Sequence, residues 1–191
     1  MIIVPESVID YHRDAHIRAA VDSLLAGRRG TVPGDLSWEE LGRFYDAVAA
    51  ARRVQSDFAR FLNDLWRATW QGVPGWKALP PGAPERSDMS VLVDNVWEWK
   101  CFTRGFKRDQ RTLELSVSLD EDSVLQLGVA LLDSRGRNIL ASAGLAGWQE
   151  EKSGGYLWTS HEITSLQSEI DAAHFAKWVK QALAAVQPVN R

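Results

Sequence analysis

The sequence predicts an α+β fold: an antiparallel β-meander of five or six strands, packed by two N-terminal helices and one C-terminal helix. Apolar residues recur at three- and four-residue steps through roughly the first 70 residues and again near the end of the chain, the period of amphipathic helices. Between those regions, residues 96–159 alternate apolar and polar with period two, the mark of half-buried strands. Short segments such as DSRGR and EKSGG interrupt that alternation as hairpin tips would. Helices flanking a run of strands define the α+β class.

Each element has its own signal. Pro5 is placed to open a first helix, and Val8, Ile9, His12, Ala20, Val21, Leu24 and Leu25 partly fit its apolar stripe. The run GRRGTVPGD, residues 27–35, then breaks it. The second helix starts at S37-W-E-E40, a capping box in which Ser37 and Glu40 satisfy each other's backbone amides. Its stripe runs through Leu41, Phe44, Tyr45, Val48, Ala51, Phe58, Leu62, Leu65 and Trp66 to about Thr69. At 1.5 Å per residue such a helix is roughly 45 Å long. A small sheet needs less, so the helix is expected to overhang or to pair with a second copy as a homodimer.

Residues 71–89 hold four of the seven prolines and cannot continue that helix. They join a helical part, 1–70, to a sheet with its C-terminal helix, 90–191, within one compact domain. Strands are expected at Val96–Thr103, Arg111–Leu119, Val124–Leu132 and Asn138–Ala143, with a shorter pair at Trp148–Glu151 and Tyr156–Thr159. A last helix from about Ser165 to Val186 puts Phe175, Trp178, Val179, Ala182, Leu183 and Val186 on one face.

Composition narrows the setting. The 191 residues are 45% hydrophobic and 25% charged, the profile of a soluble globular protein with a substantial core. A net charge of −3 gives no general attraction to nucleic acid, though a local patch could still act. The single cysteine, Cys101, excludes an intramolecular disulfide framework and suits a reducing compartment. The opening MIIVPESVIDYHRDAH lacks a signal peptide's basic flank and meets charge too early, and no apolar run approaches the ~18 residues of a membrane span. A cytoplasmic protein with no membrane partner is expected. Most of the nine tryptophans are expected in the core.

The stretch VWEWKCFTRGFKR, residues 96–108, holds the chemistry worth weighing. Its Glu98-x-Lys100 resembles the second half of the motif of PD-(D/E)xK nucleases. That resemblance implies two acids holding a divalent metal and a lysine supporting the attacking water. On a strand, Glu98 and Lys100 would share a face, as this chemistry requires. The upstream partner acid would be Asp88 or Asp94, neither of which follows a proline. Asp94 on the same strand would stand ~13 Å from Glu98, and D94-N95 reads as a turn.

Strand register offers a simpler account. With Lys100 opposite Glu114, residues Trp97, Trp99 and Cys101 meet Val117, Leu115 and Leu113 on a wholly apolar face. Leu115 opposite Val129, Val117 opposite Leu127 and Leu131 opposite Ile139 continue that face. Lys100 and Glu114 then form a surface charge pair, and Cys101 an inert buried thiol. The far face carries Ser116, Ser118, Gly128, Ala130 and Ser142 beside Glu98, Lys100 and Glu114. A floor this small admits close approach by another backbone, either one of the chain's own helices or a bound partner.

Two further clusters complete the candidates. The tip R104-G-F-K-R-D-Q-R111 has Arg104, Lys107, Arg108 and Arg111 beside Phe106, suited to an acidic protein surface or to nucleic acid. His12 and His16 stand four apart on the expected first helix, a metal-ligand spacing needing a third ligand such as Asp14, His161 or His174. No cofactor motif is present: no phosphate-binding glycine loop, nucleophile elbow or zinc cysteine pair. The expectation is a non-enzymatic protein-binding module, such as an adaptor, inhibitor or immunity-type partner, using the basic tip, the small-residue sheet face or both. Its rival is the metal-dependent nuclease.

Overall fold

The structure, a computed structural model, describes residues 1–26, 36–79, 89–141, 144–151, 155–163 and 166–186, including every side chain among them except those of 89–91. β1 (Ile2–Ile3), α1 (Glu6–Arg13), α2 (Ala15–Ala26) and α3 (Trp38–Trp70) come first. β2 (Lys77–Ala78) and α4 (Met89–Trp99) lead into a meander of β3 (Cys101–Arg108), β4 (Arg111–Leu119) and β5 (Val124–Leu132). β6 (Gln149–Glu150), β7 (Leu157–Glu162), β8 (Glu169–Ile170), a 3₁₀ turn (Ala172–Phe175) and α5 (Ala176–Val186) follow. Six strands form one antiparallel sheet in the order β2-β3-β4-β5-β7-β6, and β1 pairs with β8. The α+β class is therefore as expected. No described helix is long and apolar enough to cross a membrane.

The capping box forms as read: the Glu40 amide donates to Ser37 Oγ at 3.3 Å, and the Ser37 amide to Glu40 Oε2 at 2.9 Å. The helix it opens, α3, overhangs. Trp38 is 89% exposed, and the buried face begins only at Ala51.

Three helix boundaries differ from the sequence reading. The expected first helix is two, because Asp14 leaves helical geometry (φ −114°, ψ 110°). Its carboxylate instead caps α2, accepting from the His16 and Ile17 amides at 2.7 and 3.2 Å. The last helix starts late, since Glu169–Ile170 pair with β1 and Asp171 caps the 3₁₀ turn. Its expected face is nevertheless the one that packs, with Phe175, Val179, Ala182 and Val186 buried.

The largest correction concerns Val96–Thr103. Residues Met89–Trp99 form α4, and the strand begins at Cys101. Leu92, Val93, Val96 and Trp97 repeat at helical spacing; the strand reading followed only the alternation of 97, 99 and 101. Lys100 joins the two elements in the left-handed region, at φ 49°. A two-residue turn, Asp109–Gln110, pairs Arg108 with Arg111 and so sets the hairpin register. Gly105, not Lys100, lies opposite Glu114, and Cys101 lies opposite Ser118.

Farther along, the expected register holds. Leu115 pairs with Val129 and Val117 with Leu127. The Ile139 amide reaches Leu131 O at 2.8 Å, but of the strand expected over Asn138–Ala143 the described residues, 138–141, make a single bridge, Leu132–Asn138, and residues 142–143 lie outside the described ones. Asn138 Oδ1 accepts from the Leu131 and Leu140 amides and turns the chain away.

One core face results, with Leu113, Leu115, Val117, Leu125, Leu127 and Val129 fully buried. From α3, the Trp66 indole donates to Leu115 O at 2.8 Å and Trp70 to Ser116 O at 3.2 Å, tying the helix to the strand at the sheet's centre. Tyr11 and Phe58 each meet Trp97 edge to face beside it, and both pack against the His12 ring. Burial first, then the charges of Arg18 and Lys100, lower the His12 imidazole from 6.5 to about 4.

Two outcomes follow for stability. Trp66→Phe leaves the Leu115 carbonyl short of a buried donor and is expected to cost about 1–3 kcal/mol in denaturant unfolding. The lowered His12 group means that the unfolded chain takes up a proton before the folded one does. Its stabilising contribution is therefore complete above pH 6.5 and lost as the pH falls toward 4. In His12→Leu, unfolding followed over that window should show a shallower loss of stability than in the wild type.

Candidate functional site

Odd-numbered residues of β4 and β5 fill the core, so the even-numbered ones face the other way. Register brings Cys101 and Thr103 of β3 beside Ser118 and Ser116 of β4, with Gln126 and Gly128 of β5 next to them. Over this floor lies a groove of about 760 Å³, with Asn95, Val96 and Trp99 of α4 along one wall and Tyr156 and Trp158 on the other. The sheet face described in the sequence as small is thus open over part of its area. Ser142, expected on it, lies outside the described residues.

The aromatic wall is built on a glycine. A Cβ added at Gly128 would lie 2.4 Å from Trp158 Cζ3, so the indole rests directly on the backbone of β5. Tyr156 stacks on Trp158 with centroids 5.3 Å apart, and its hydroxyl donates to the Glu114 carboxylate. Burial, reinforced by Glu114, raises the Tyr156 phenol, which therefore stays protonated as a donor. On the floor the Thr103 and Ser116 hydroxyls share a hydrogen bond of 2.8 Å, and Ser118 donates to Gln126 at 3.3 Å. Burial raises the Cys101 thiol against the lowering effect of the Thr103 and Ser116 hydroxyls, and the nearby Glu151 charge raises it further. Such a thiol is a poor nucleophile at neutral pH.

The opposite wall depends on how α4 ends. Trp97 is 8% exposed and Trp99 is 73% exposed. Two steps of about 100° around a helix turn their side chains to opposite sides. Lys100 Nζ sits 3.4 Å from the Trp97 ring centroid, with Tyr11 and Phe58 also within cation–π range. Burial lowers this ammonium to about 8, opposed by Asp22 and Glu121.

Among the described residues, the nuclease candidates do not assemble. Glu98 is exposed on a helix and the Lys100 ammonium is held among aromatic rings, so the shared strand face does not exist. Asp94 lies one helical turn from Glu98, closer than on a strand, but accepts from Gln55 Nε2 at 2.9 Å and lies 3.6 Å from Arg52. Asp88 lies outside the described residues.

The basic tip divides between two faces. Arg104 and Phe106 alternate onto the core side: Phe106 is 5% exposed and stacks on Trp66, while Arg104 lies over the Phe102 ring at 5.2 Å. Burial, then Arg67, lowers the Arg104 guanidinium. Lys107 alternates onto the other face, and Arg108 and Arg111 flank the turn.

His12 is buried in α1, whereas His16 lies beyond the break in α2, so the four-residue spacing does not run along one helix. His161 and His174 stand together instead, with ring centroids 4.5 Å apart. Among the described residues, no group of three His, Cys, Asp or Glu side chains could hold a metal.

The sequence reading did not find Trp99, Tyr156 and Trp158 as groove residues. The helical spacing of Leu92, Val93, Val96 and Trp97 carried the signal for Trp99, and a strand glycine beside an aromatic neighbour carried it for Trp158. Comparison of the chain with protein-family models, with curated proteins and with solved structures finds no significant match in any of the three. Fold and groove therefore stand on their own geometry.

The Gly128 contact can be tested directly. Gly128→Ala must displace the Trp158 ring, with an expected cost of about 1–3 kcal/mol as in other overpacked sites. Near-ultraviolet circular dichroism should change with it, while Ala130→Gly leaves the Trp158 environment unaltered.

Proposed function

We propose that the protein is a non-enzymatic protein-binding module that receives an extended segment of a partner in the groove, serving as an adaptor, inhibitor or immunity-type partner. The observation that carries this reading is Trp99, an indole 73% exposed on the wall of a groove of about 760 Å³. Exposed Trp and Tyr concentrate at binding surfaces because one ring contributes a large contact area at low entropic cost. The floor of Cys101, Thr103, Ser116 and Ser118 leaves room for a second backbone, and the side-chain amides of Asn95 and Gln149 offer it donors and acceptors. The basic residues Arg104, Lys107, Arg108 and Arg111 do not line this groove. We place the module in the cytoplasm, where a single protonated thiol would persist.

Selection of a random dodecapeptide library on the full-length chain tests the reading. Selected peptides are expected to bind Trp99→Ala at least about tenfold more weakly than wild type, as for a contact hot spot. The unfolding free energy of this surface variant should stay within about 0.5 kcal/mol of wild type. Peptides that bind both proteins equally, or a selection that enriches none, would overturn the proposal.

A further inference from the structure

Given a groove that takes a partner segment as proposed above, we infer that the segment is basic, with a Lys or Arg side chain seated between the aromatic walls and paired with the acids of the groove. Asp120, Glu150 and Glu151 all line it. No described Lys or Arg forms an ion pair with any of the three. Lys100 is the single basic residue among the described residues of the lining, and its ammonium is already occupied 3.4 Å from the Trp97 ring centroid, among Tyr11 and Phe58. Among the described residues, the groove therefore has three carboxylates and no cation paired with them.

The placement of these charges makes the inference specific. Glu151 lines the groove together with Cys101, and its charge adds to the effect of burial in raising that thiol. Glu150 pairs with Leu157 and the Glu151 amide donates to Tyr156 O at 2.9 Å, which sets these two acids beside the Tyr156–Trp158 wall, whereas Asp120, beyond Leu119, stands at the other end of the groove floor. One Asp120 oxygen is committed to the Val124 amide at 2.7 Å; a carboxylate keeps a second oxygen for a ligand. Aromatic residues complete the site: Trp99 is 73% exposed, Tyr156 and Trp158 also line the groove, and electron-rich rings attract ammonium and guanidinium groups. The chain makes this kind of contact internally, where Lys100 lies over Trp97. An acidic segment would meet three like charges here, and a neutral one would leave them unanswered.

Three synthetic octapeptides of alternating sequence, Lys-Thr, Ser-Thr and Glu-Thr, provide the probes. Binding to the full-length protein is followed by chemical shifts of the tryptophan indole amides, with the Trp99 resonance assigned from Trp99→Phe. The Lys-Thr peptide is expected to shift that resonance and to bind at least tenfold more tightly than the Ser-Thr peptide, with the Glu-Thr peptide weakest. Doubly substituted Glu150→Lys/Glu151→Lys, its fold checked by circular dichroism, should reverse the order of the Lys and Glu peptides. Equal affinity of the three peptides at the Trp99 resonance would overturn the charge preference and leave the groove as a binding site. Absence of any Trp99 shift with all three would overturn both. Tight Lys-Thr binding that survives the double substitution would place the cation elsewhere and overturn the inference alone.

Discussion

The arrangement of this molecule turns on Lys100. A non-glycine residue in the left-handed region carries a backbone cost of order 1 kcal/mol or more, so something must hold it there. Two contacts do so on either side of the kink. The Lys100 carbonyl accepts from the Leu119 amide at 3.1 Å, which extends the β3–β4 pairing by one bond. Its ammonium lies over Trp97, which itself packs against Tyr11 and Phe58 of α1 and α3. One residue therefore ends a helix, starts a strand and fastens both to the helical layer. Since α4 stops there, Trp97 faces inward and Trp99 faces the groove.

The two faces of β4 divide the labour of the fold. Its odd-numbered side chains meet α3, where two indoles reach past them to backbone carbonyls. Its even-numbered ones cannot contribute to that core, and they remain small or polar. A sheet usually covers both faces with its own elements. Among the described residues, the cover on the second face is partial, made by the end of α4, by Leu79 packed over Gly105 and by the stacked pair Tyr156–Trp158. The groove is the part of that face left between them.

Elements bounded by local chemistry were legible in the sequence. Ser37 and Glu40 announced α3, and uninterrupted alternation marked β4 and β5 with the same ends that the structure gives them. Mutual pairing of Leu115 with Val129 also followed from pattern alone, since a slip of one residue would have exposed the apolar set. The junction at Lys100 was not legible, because E-W-K-C fits the end of a helix and the start of a strand equally well. That ambiguity propagated. Reading a strand into Val96 shifted the hairpin by several residues, enlarged its tip and gave Glu98 and Lys100 a common face they do not have. The site suffered most, since its aromatic residues come from α4 and the β6–β7 region, far apart in the chain, and only tertiary placement brings them together.

The overhang of α3 has a mechanical consequence. Its C-terminal half is clamped by buried aromatic and leucine side chains, whereas the half before Ala51 has no fully buried side chain. Helical hydrogen bonds persist through both halves, but only the second half has them shielded by tertiary packing, and an unbacked helix is marginal in water. A single continuous helix thus behaves as two segments of different stiffness. The inner one is part of the solid body of the protein. The outer one opens in small local steps without disturbing the sheet, and its backbone amides would exchange with solvent long before those beneath Trp66.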